Sequence, residues 1–208
     1  MEARWQPDAQ AALQGNDGLE TFVAGSGQSA EARLHFGCAE QGVDSGHDLY
    51  LDGRSLAHQA VVIDLFNREI VGWSLKPRMT TDIVMDALTM AWFRRKPEPG
   101  LMHHSDRGSQ YASHAFQAQL KEYGMVCSMS RKGNCWDNAP TESFFNSLKN
   151  ERVHGTRYRT KDEAKADLFD YIEPFYNRKR KHSTLGYAPP RKSLEDWLSS
   201  QHEKELAA

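Results

Sequence analysis

Hydrophobic and polar positions keep a regular period in this chain only from Val61 onward. VVIDLFNREIVGWSL joins two runs of β-branched and aromatic residues across a polar D-L-F-N-R turn, the pattern of a β-hairpin with Asp64 as a structural turn residue. In TTDIVMDALTMAWFRRK, residues Ile83, Val84, Ala87, Leu88, Ala91 and Trp92 recur on one helical face, with Thr80 or Thr81 placed as N-cap. Pro97 and Gly100 end that connection. LMHHS predicts a short strand, SHAFQAQLKEYG a helix closing at Gly124, and MVCSMS another strand. Polar RKGNCWDNAP predicts a loop, after which Pro140 opens a helix from about Thr141 to Val153. A further helical stretch covers KDEAKADLFDYIEPFYNRKRK, followed by a Pro-rich tail, GYAPPRKSLEDW. Strands alternating with helices predict an α/β sandwich around a mixed sheet.

The beginning of the chain has no such beat. Residues 1–45 mix Gly, Gln, Ala and Ser without period, and read as disordered. The stretch GHDLYLDGRSLAHQAVVID, residues 46–64, starts with scattered charge and ends as a clean apolar strand. The expected organisation is therefore a poorly ordered segment at 1–57, a folded domain at 58–198 and a tail at 199–208.

Composition narrows the classes. At 208 residues the chain can bury one substantial core. No apolar run reaches membrane-spanning length and MEARWQPDAQ lacks a signal-peptide core, so a cytoplasmic protein without membrane contact is expected. Cys38, Cys127 and Cys135 are odd in number and lack C-x-x-C spacing, which argues against a zinc site or a disulfide framework. The net charge of −2 conceals a polar layout: residues 1–60 sum to −6, residues 131–192 to +6 and the last sixteen to −3. A basic block of that size suits a polyanion, because neutralised phosphates release counterions, although a solvated helical surface has the same composition.

Two acids stand out by context. Asp106 follows an apolar strand in HHSDRGSQY, where a strand's carboxyl end meets a Gly-containing loop, a common place for ligand sites in α/β folds. Glu142 lies in the first turn of a helix that also carries Asn146 and Lys149. At 100° per residue, the seven steps from Glu142 to Lys149 return to within about 20° of the start, so the two share a face while Phe144, Phe145 and Leu148 fill the buried side. Each acid has an ordinary reading alone, as a helix-dipole partner or a turn former. His103 and His104 alternate on a strand and point to opposite faces, so they are not expected to share a metal. A general acid/base hydrolase built on Asp106 and Glu142 is a third reading, which leaves the basic block and Lys149 unused.

Taken together, HSDRGSQY, the 35-residue gap between Asp106 and Glu142, NAPTESFFNSLKNE and YNRKRKHSTLGYAPP resemble one family. They are similar to the ribonuclease H-like catalytic core of DDE transposases and retroviral-type integrases, and most of all to bacterial insertion-sequence transposases, often made by frameshifting between overlapping frames. The resemblance covers roughly residues 60–198. It implies a ribonuclease H-like mixed sheet flanked by helices, and DNA cleavage and strand transfer for transposition and integration. It further implies Mg²⁺ or Mn²⁺ held by three carboxylates, element ends and target DNA as partners, and a homo-oligomer assembled on DNA. Hard divalent cations take oxygen ligands, and a pair of them can clamp an in-line phosphoryl displacement. Asp106 matches the family's second aspartate, Glu142 its glutamate, and Lys149 the basic residue that contacts DNA near the scissile phosphate. Arg107, Asn138, Arg178 and Arg180 are weaker DNA-contact candidates, resting on position and charge.

The family's first aspartate belongs to a first-strand phrase of the form W-x-x-D-x-T-Y, about eighteen residues before the Asp of VVIDLF. Counting back from Asp64 lands on Gly46. Asp48 is the nearest acid, with Asp44 and Asp52 close by, and a short register shift would recruit Asp48 as the third carboxylate. A different account is a change of frame. With permitted codons for Phe36 to Ala57 read one nucleotide further along, the stretch can spell PNRAWIRDMTYIWTDEVWL, and its first aspartate falls on the slot of Gly46. The expectation is an out-of-frame start up to about Ala57, no counterpart of the family's helix-turn-helix, and a site short of one carboxylate. A catalytically dead remnant that only binds DNA is the alternative.

Overall fold

One buried carboxylate at a hairpin turn organises the sheet. The computed structural model describes residues 35–41, 49–51, 55–106, 108–129 and 139–207, all within one compact unit, Arg33–Ala208. Its strands are β1 (His35–Gln41), β2 (Leu49–Leu51), β3 (Ser55–Asp64), β4 (Ile70–Lys76), β5 (Met102–Ser105) and β6 (Val126–Met129). Its helices are α1 (Thr81–Arg95), α2 (His114–Glu122), α3 (Ala139–Leu148), α4 (Lys161–Asp170) and α5 (Pro190–Leu206). π-helical turns at Lys149–Val153 and Tyr171–Tyr176 extend α3 and α4.

The sheet runs β4-β3-β1-β5-β6, with β2 pairing the first residues of β3. Pairs β1–β3 and β3–β4 are antiparallel, and β1–β5 and β5–β6 are parallel. Parallel neighbours need a crossover, and α2 supplies it between β5 and β6. This is the expected mixed α/β sheet flanked by helices.

The β3–β4 hairpin forms where the turn chemistry places it. The Phe66 N–H donates to Asp64 Oδ1 (3.0 Å) and the Arg68 N–H to the Asp64 carbonyl (2.7 Å), with Arg68 left-handed at φ 62°. Asp64 is fully buried; burial pushes its carboxyl up to about 6, against the pull of the Arg95 guanidinium at 3.3 Å. The strand period then sorts two cores. Ala60 and Val62 of β3 join Leu88, Phe116 and Leu120 beneath α1 and α2, while Val61 and Ile63 join Phe144, Leu148 and Ile172 beneath α3 and the second π turn. Helix α1 buries Ile83, Val84, Ala87, Leu88 and Ala91 as its spacing predicts, whereas Trp92 stays half-buried and stacks on Tyr123 at 4.6 Å. Thr80 is the N-cap by backbone alone; Ser113 caps α2 through its side chain, which accepts from the Phe116 N–H.

Two features differ from the sequence reading. Within the stretch read as unordered, residues 35–41 and 49–51 form strands. Without β1, β3 and β5 would each bury a row of unpaired N–H and C=O groups in mid-sheet, so tertiary pairing overrides weak local preference. The Pro-rich tail is instead a 17-residue helix, with Pro190 in its first turn, where its missing N–H costs nothing. The loop read at RKGNCWDNAP lies almost wholly outside the described residues, as do residues 1–34.

Gly72 lets α1 approach β4: a Cβ there would stand 2.0 Å from the Ala87 carbonyl oxygen and 2.9 Å from the Ala91 nitrogen. Because the obstruction is backbone, Gly72→Ala is expected to destabilise by about 3 kcal/mol or more, read as a fall in the urea midpoint at unchanged m-value. A variant as stable as the parent would show that α1 is free to slide.

Candidate active site

Asp106 directly follows β5, the strand flanked on both sides by parallel partners. Its backbone leaves the sheet into a tight turn: the Gly108 N–H donates to Asp106 Oδ1 (2.7 Å), and the Gly108 carbonyl accepts from the Tyr111 and Ala112 N–H groups (both 3.1 Å). A Cβ on Gly108 would lie 3.0 Å from Asp106 Oδ1 and 3.2 Å from Gln110 Oε1, so a larger residue there must displace the carboxylate. Asp106 is half-buried.

Glu142 is exposed in the first turn of α3, whose Thr141, Phe144, Phe145 and Leu148 face the core. Helix α3 packs on β1 and β3, and β5 borders β1 from the other side. Asp106 and Glu142 are thus carried by elements that both flank β1. Lys149 follows Leu148 without a break and is the half-buried first residue of the π turn. The Asn146 carboxamide oxygen accepts from Asn150 Nδ2 (2.9 Å).

The other candidates separate. Asp48, Arg107 and Asn138 lie outside the described residues. Arg178 is exposed and lines a cleft of about 400 Å³ in which Arg94, Arg95 and Arg191 are answered by Glu69, Glu173 and Glu195. Arg180 is turned inward, its guanidinium bound to both oxygens of Glu151 at 2.8–3.0 Å and to Ser147 Oγ at 3.0 Å. Sequence reasoning passed over Glu151 and Gly108. Glu151, two residues beyond Lys149, had no spacing that marked it, while the Gly in S-D-R-G-S was a readable sign of close backbone approach.

The donor set does not complete a metal centre. Among the described residues no three His, Cys, Asp or Glu side chains gather closely enough to hold an ion. Asp106 and Glu142 are two carboxylates, and Asp106 already spends one oxygen on its own turn. The parallel register between β1 and β5 ends with Cys38 beside Ser105, the residue before Asp106. The two histidines part as strand alternation requires: His103 is wholly buried between Tyr111 and Phe116, and half-buried His104 reaches Ser128 Oγ through Nδ1 at 3.1 Å.

A mixed sheet with this strand order, flanked by helices, is the frame of a ribonuclease H-like core. Bovine immunodeficiency virus integrase's catalytic core superposes with a TM-score of 0.52 at 18% identity, covering 81% of this chain and 97% of that one. The human T-lymphotropic virus 2 integrase core, solved in complex with magnesium in a trimeric form, gives 0.52 at 14% identity, over 76% of this chain and 94% of that one. Two models, each described as an integrase core domain, match residues 42–135 and 123–190. The chain belongs to the integrase-core family. Its relatives there are insertion-sequence transposases: transposase InsF of IS3A from Escherichia coli K12 is 50% identical over 131 residues, 63% of this chain and 46% of that protein. The IS904 transposase of Lactococcus lactis is 47% identical over 132 residues, 64% of this chain and 52% of its own length. In its core the chain is similar to these insertion-sequence transposases, and it spans about half the length of these curated relatives. No described helix is long and apolar enough to cross a membrane.

His103 makes the centre of the sheet sensitive to acid. Burial, and then the neighbouring His104, lower its imidazole from 6.5 to about 3. The folded state therefore holds His103 neutral while the unfolded chain takes up a proton below pH 6.5, so this contribution is full above pH 6.5 and is lost as pH falls toward 3. At pH 4.5 the loss approaches roughly 3 kcal/mol, at 1.36 kcal/mol per pH unit. In urea titrations between pH 7 and 4.5, His103→Gln is expected to flatten this slope; an equal slope in parent and variant would remove His103 as its source.

Proposed function

We propose that this chain is the catalytic core of a transposase for DNA transposition and integration, by descent a polynucleotidyl transferase that uses Mg²⁺ or Mn²⁺. The observation that carries the reading is the position of Asp106 directly after β5, the parallel neighbour of β1, and of Glu142 in the first turn of α3, which packs on β1, with Lys149 following α3 as the first residue of the π turn. In this reading Asp106 and Glu142 are metal ligands and Lys149 meets a phosphate of the cleaved strand. Element ends and target DNA are the substrates, and copies of the chain assemble on DNA. Asp48 is the one acid proposed to fill the place of the third carboxylate, and frame-shifted translation across residues 36–57 is the other source of it. Because the described residues supply two carboxylates of three, strand cleavage is expected orders of magnitude below that of a full triad.

Gly46, at the slot where the resembled family carries its first aspartate, favours a second reading, a DNA-binding remnant without cleavage. Nicking of supercoiled plasmid separates the two, run with Mg²⁺, Mn²⁺ or EDTA on the parent, Asp106→Asn and Gly108→Ala. An active core predicts metal-dependent nicking that Asp106→Asn abolishes. Gly108→Ala, which must push the Asp106 carboxylate aside, should lower it about tenfold while leaving stability within about 1 kcal/mol. DNA binding with no nicking selects the remnant. Nicking that survives Asp106→Asn removes Asp106 from the site, and nicking that survives EDTA removes the metal.

A further inference from the structure

The basic run at residues 178–181 does not act as one surface. We infer that Arg180 is a positioning residue rather than a DNA ligand: paired with Glu151, it fixes the π-helical turn whose first residue is Lys149, and so sets where Lys149 meets a phosphate. This rests on the proposed role of Lys149 in DNA binding.

The guanidinium is already occupied. Nε donates to Glu151 Oε1 and Oε2 (2.9 and 3.0 Å), Nη2 donates to Glu151 Oε1 (2.8 Å) and Ser147 Oγ (3.0 Å), and Nη1 faces His182 Nε2 (3.5 Å). The group lies over the Tyr176 ring, 5.6 Å from its centroid, and the side chain is 24% exposed. A guanidinium has five N–H donors in a fixed fork, so few remain for a phosphate. Burial keeps neighbouring His182 neutral at ordinary pH, its imidazole lowered to about 4.

Glu151 is gripped in turn. Tyr171 Oη donates to its Oε2 (2.8 Å); burial pushes the carboxyl up, but the bonds from Arg180 and Tyr171 outweigh it and hold the group below its ordinary value. The turn that bears Glu151 closes with the His154 N–H on the Lys149 carbonyl (2.8 Å), a wider ring than the α-helix uses. On its other side Arg152 pairs with Asp167 at 2.6 Å, and Tyr158 Oη donates to the same carboxylate (2.7 Å). A π turn is an uncommon conformation that persists where its surroundings over-determine it, and here two acid–arginine pairs grip the adjacent residues Glu151 and Arg152 inside the turn.

The sign of one substitution separates positioning from contact. A phosphate-binding Arg180 predicts that Arg180→Gln weakens DNA binding while Glu151→Gln, which removes a negative charge, tightens it. Positioning predicts that both weaken it. Fluorescence anisotropy of the full chain with a short duplex of arbitrary sequence, over a salt series, reads this directly. Arg180→Gln, Glu151→Gln and Lys149→Gln should each raise Kd roughly tenfold at 0.1 M salt and lower the salt slope by about 0.9. Combining Arg180→Gln with Lys149→Gln should add nothing further. Tyr171→Phe, which deletes one hydrogen bond and keeps the fold, should weaken binding in the same direction by a smaller factor. Amide exchange at His154 reads the turn without DNA and should speed up in Arg180→Gln. Opposite signs for the two Gln variants, additivity with Lys149→Gln, or unchanged exchange at His154 overturns the assignment. If the parent binds no duplex at all, the DNA-binding reading fails by itself, and exchange at His154 alone then decides whether Arg180 holds the turn.

Discussion

The node beneath the β3–β4 turn is the constraint on which the rest of the chain is assembled. Arg95, at the end of α1, reaches both Asp64 and Glu69 across the hairpin. Asn67 Nδ2 joins Glu69 Oε2 to the Pro190 carbonyl that opens α5 (both 3.1 Å). Asn177 accepts from the Ile70 N–H (2.9 Å) and donates to the Ile70 carbonyl (3.0 Å), standing in for a strand partner at the start of β4. Two carboxylates and two carboxamides, nearly all buried, would each cost several kcal/mol if left unanswered. Answered, they tie the hairpin, α1, the second π turn and α5 into one register. The second core depends on that register, since Ile70 and Ile172 reach Phe144 only when the elements stand in this order.

This explains which parts of the fold were legible in the sequence. The hairpin, α1, α2, β5 and β6 are local objects: their period, their caps and the D-L-F-N-R turn are written in contiguous residues, and each formed where its pattern placed it. What sequence could not show were the elements fixed by distant partners. Strand β1 has little local preference for a strand and exists as the pair of β3 and β5. Helix α5 was hidden behind the prolines of its first turn, and what holds its start is a carboxamide more than a hundred residues away. The π turns escaped because their widening is set by tertiary grips on Glu151 and Arg152, not by any periodicity of K-N-E-R-V.

The site divides along the same line. The proposed residues Asp106 and Glu142 are nominated by spacing beside β5 and on α3, elements that are themselves local, whereas Lys149 lies on the π turn that no local period marks. Charge was a poorer guide. Arg178 and Arg180 look alike in R-K-R-K, yet one is exposed at a cleft rim and the other is consumed by Glu151. A run of like charges says nothing about which members are already paired, and only the partner's position, here 29 residues upstream, decides it.

Packing and chemistry make separate demands on this chain. Nearly every large side chain of both cores comes from residues 60–176, and together with the Asp64 node they suffice to hold the sheet. Nothing in that packing asks for an acid on β1: a strand of any composition that pairs with β3 and β5 satisfies the backbone. In the proposed function, the third acid is therefore the part of the site that only its chemistry would sustain. A chain can lose it and keep its fold and its resemblance to the insertion-sequence transposases. The level of cleavage, rather than stability or DNA affinity, is where such a loss registers.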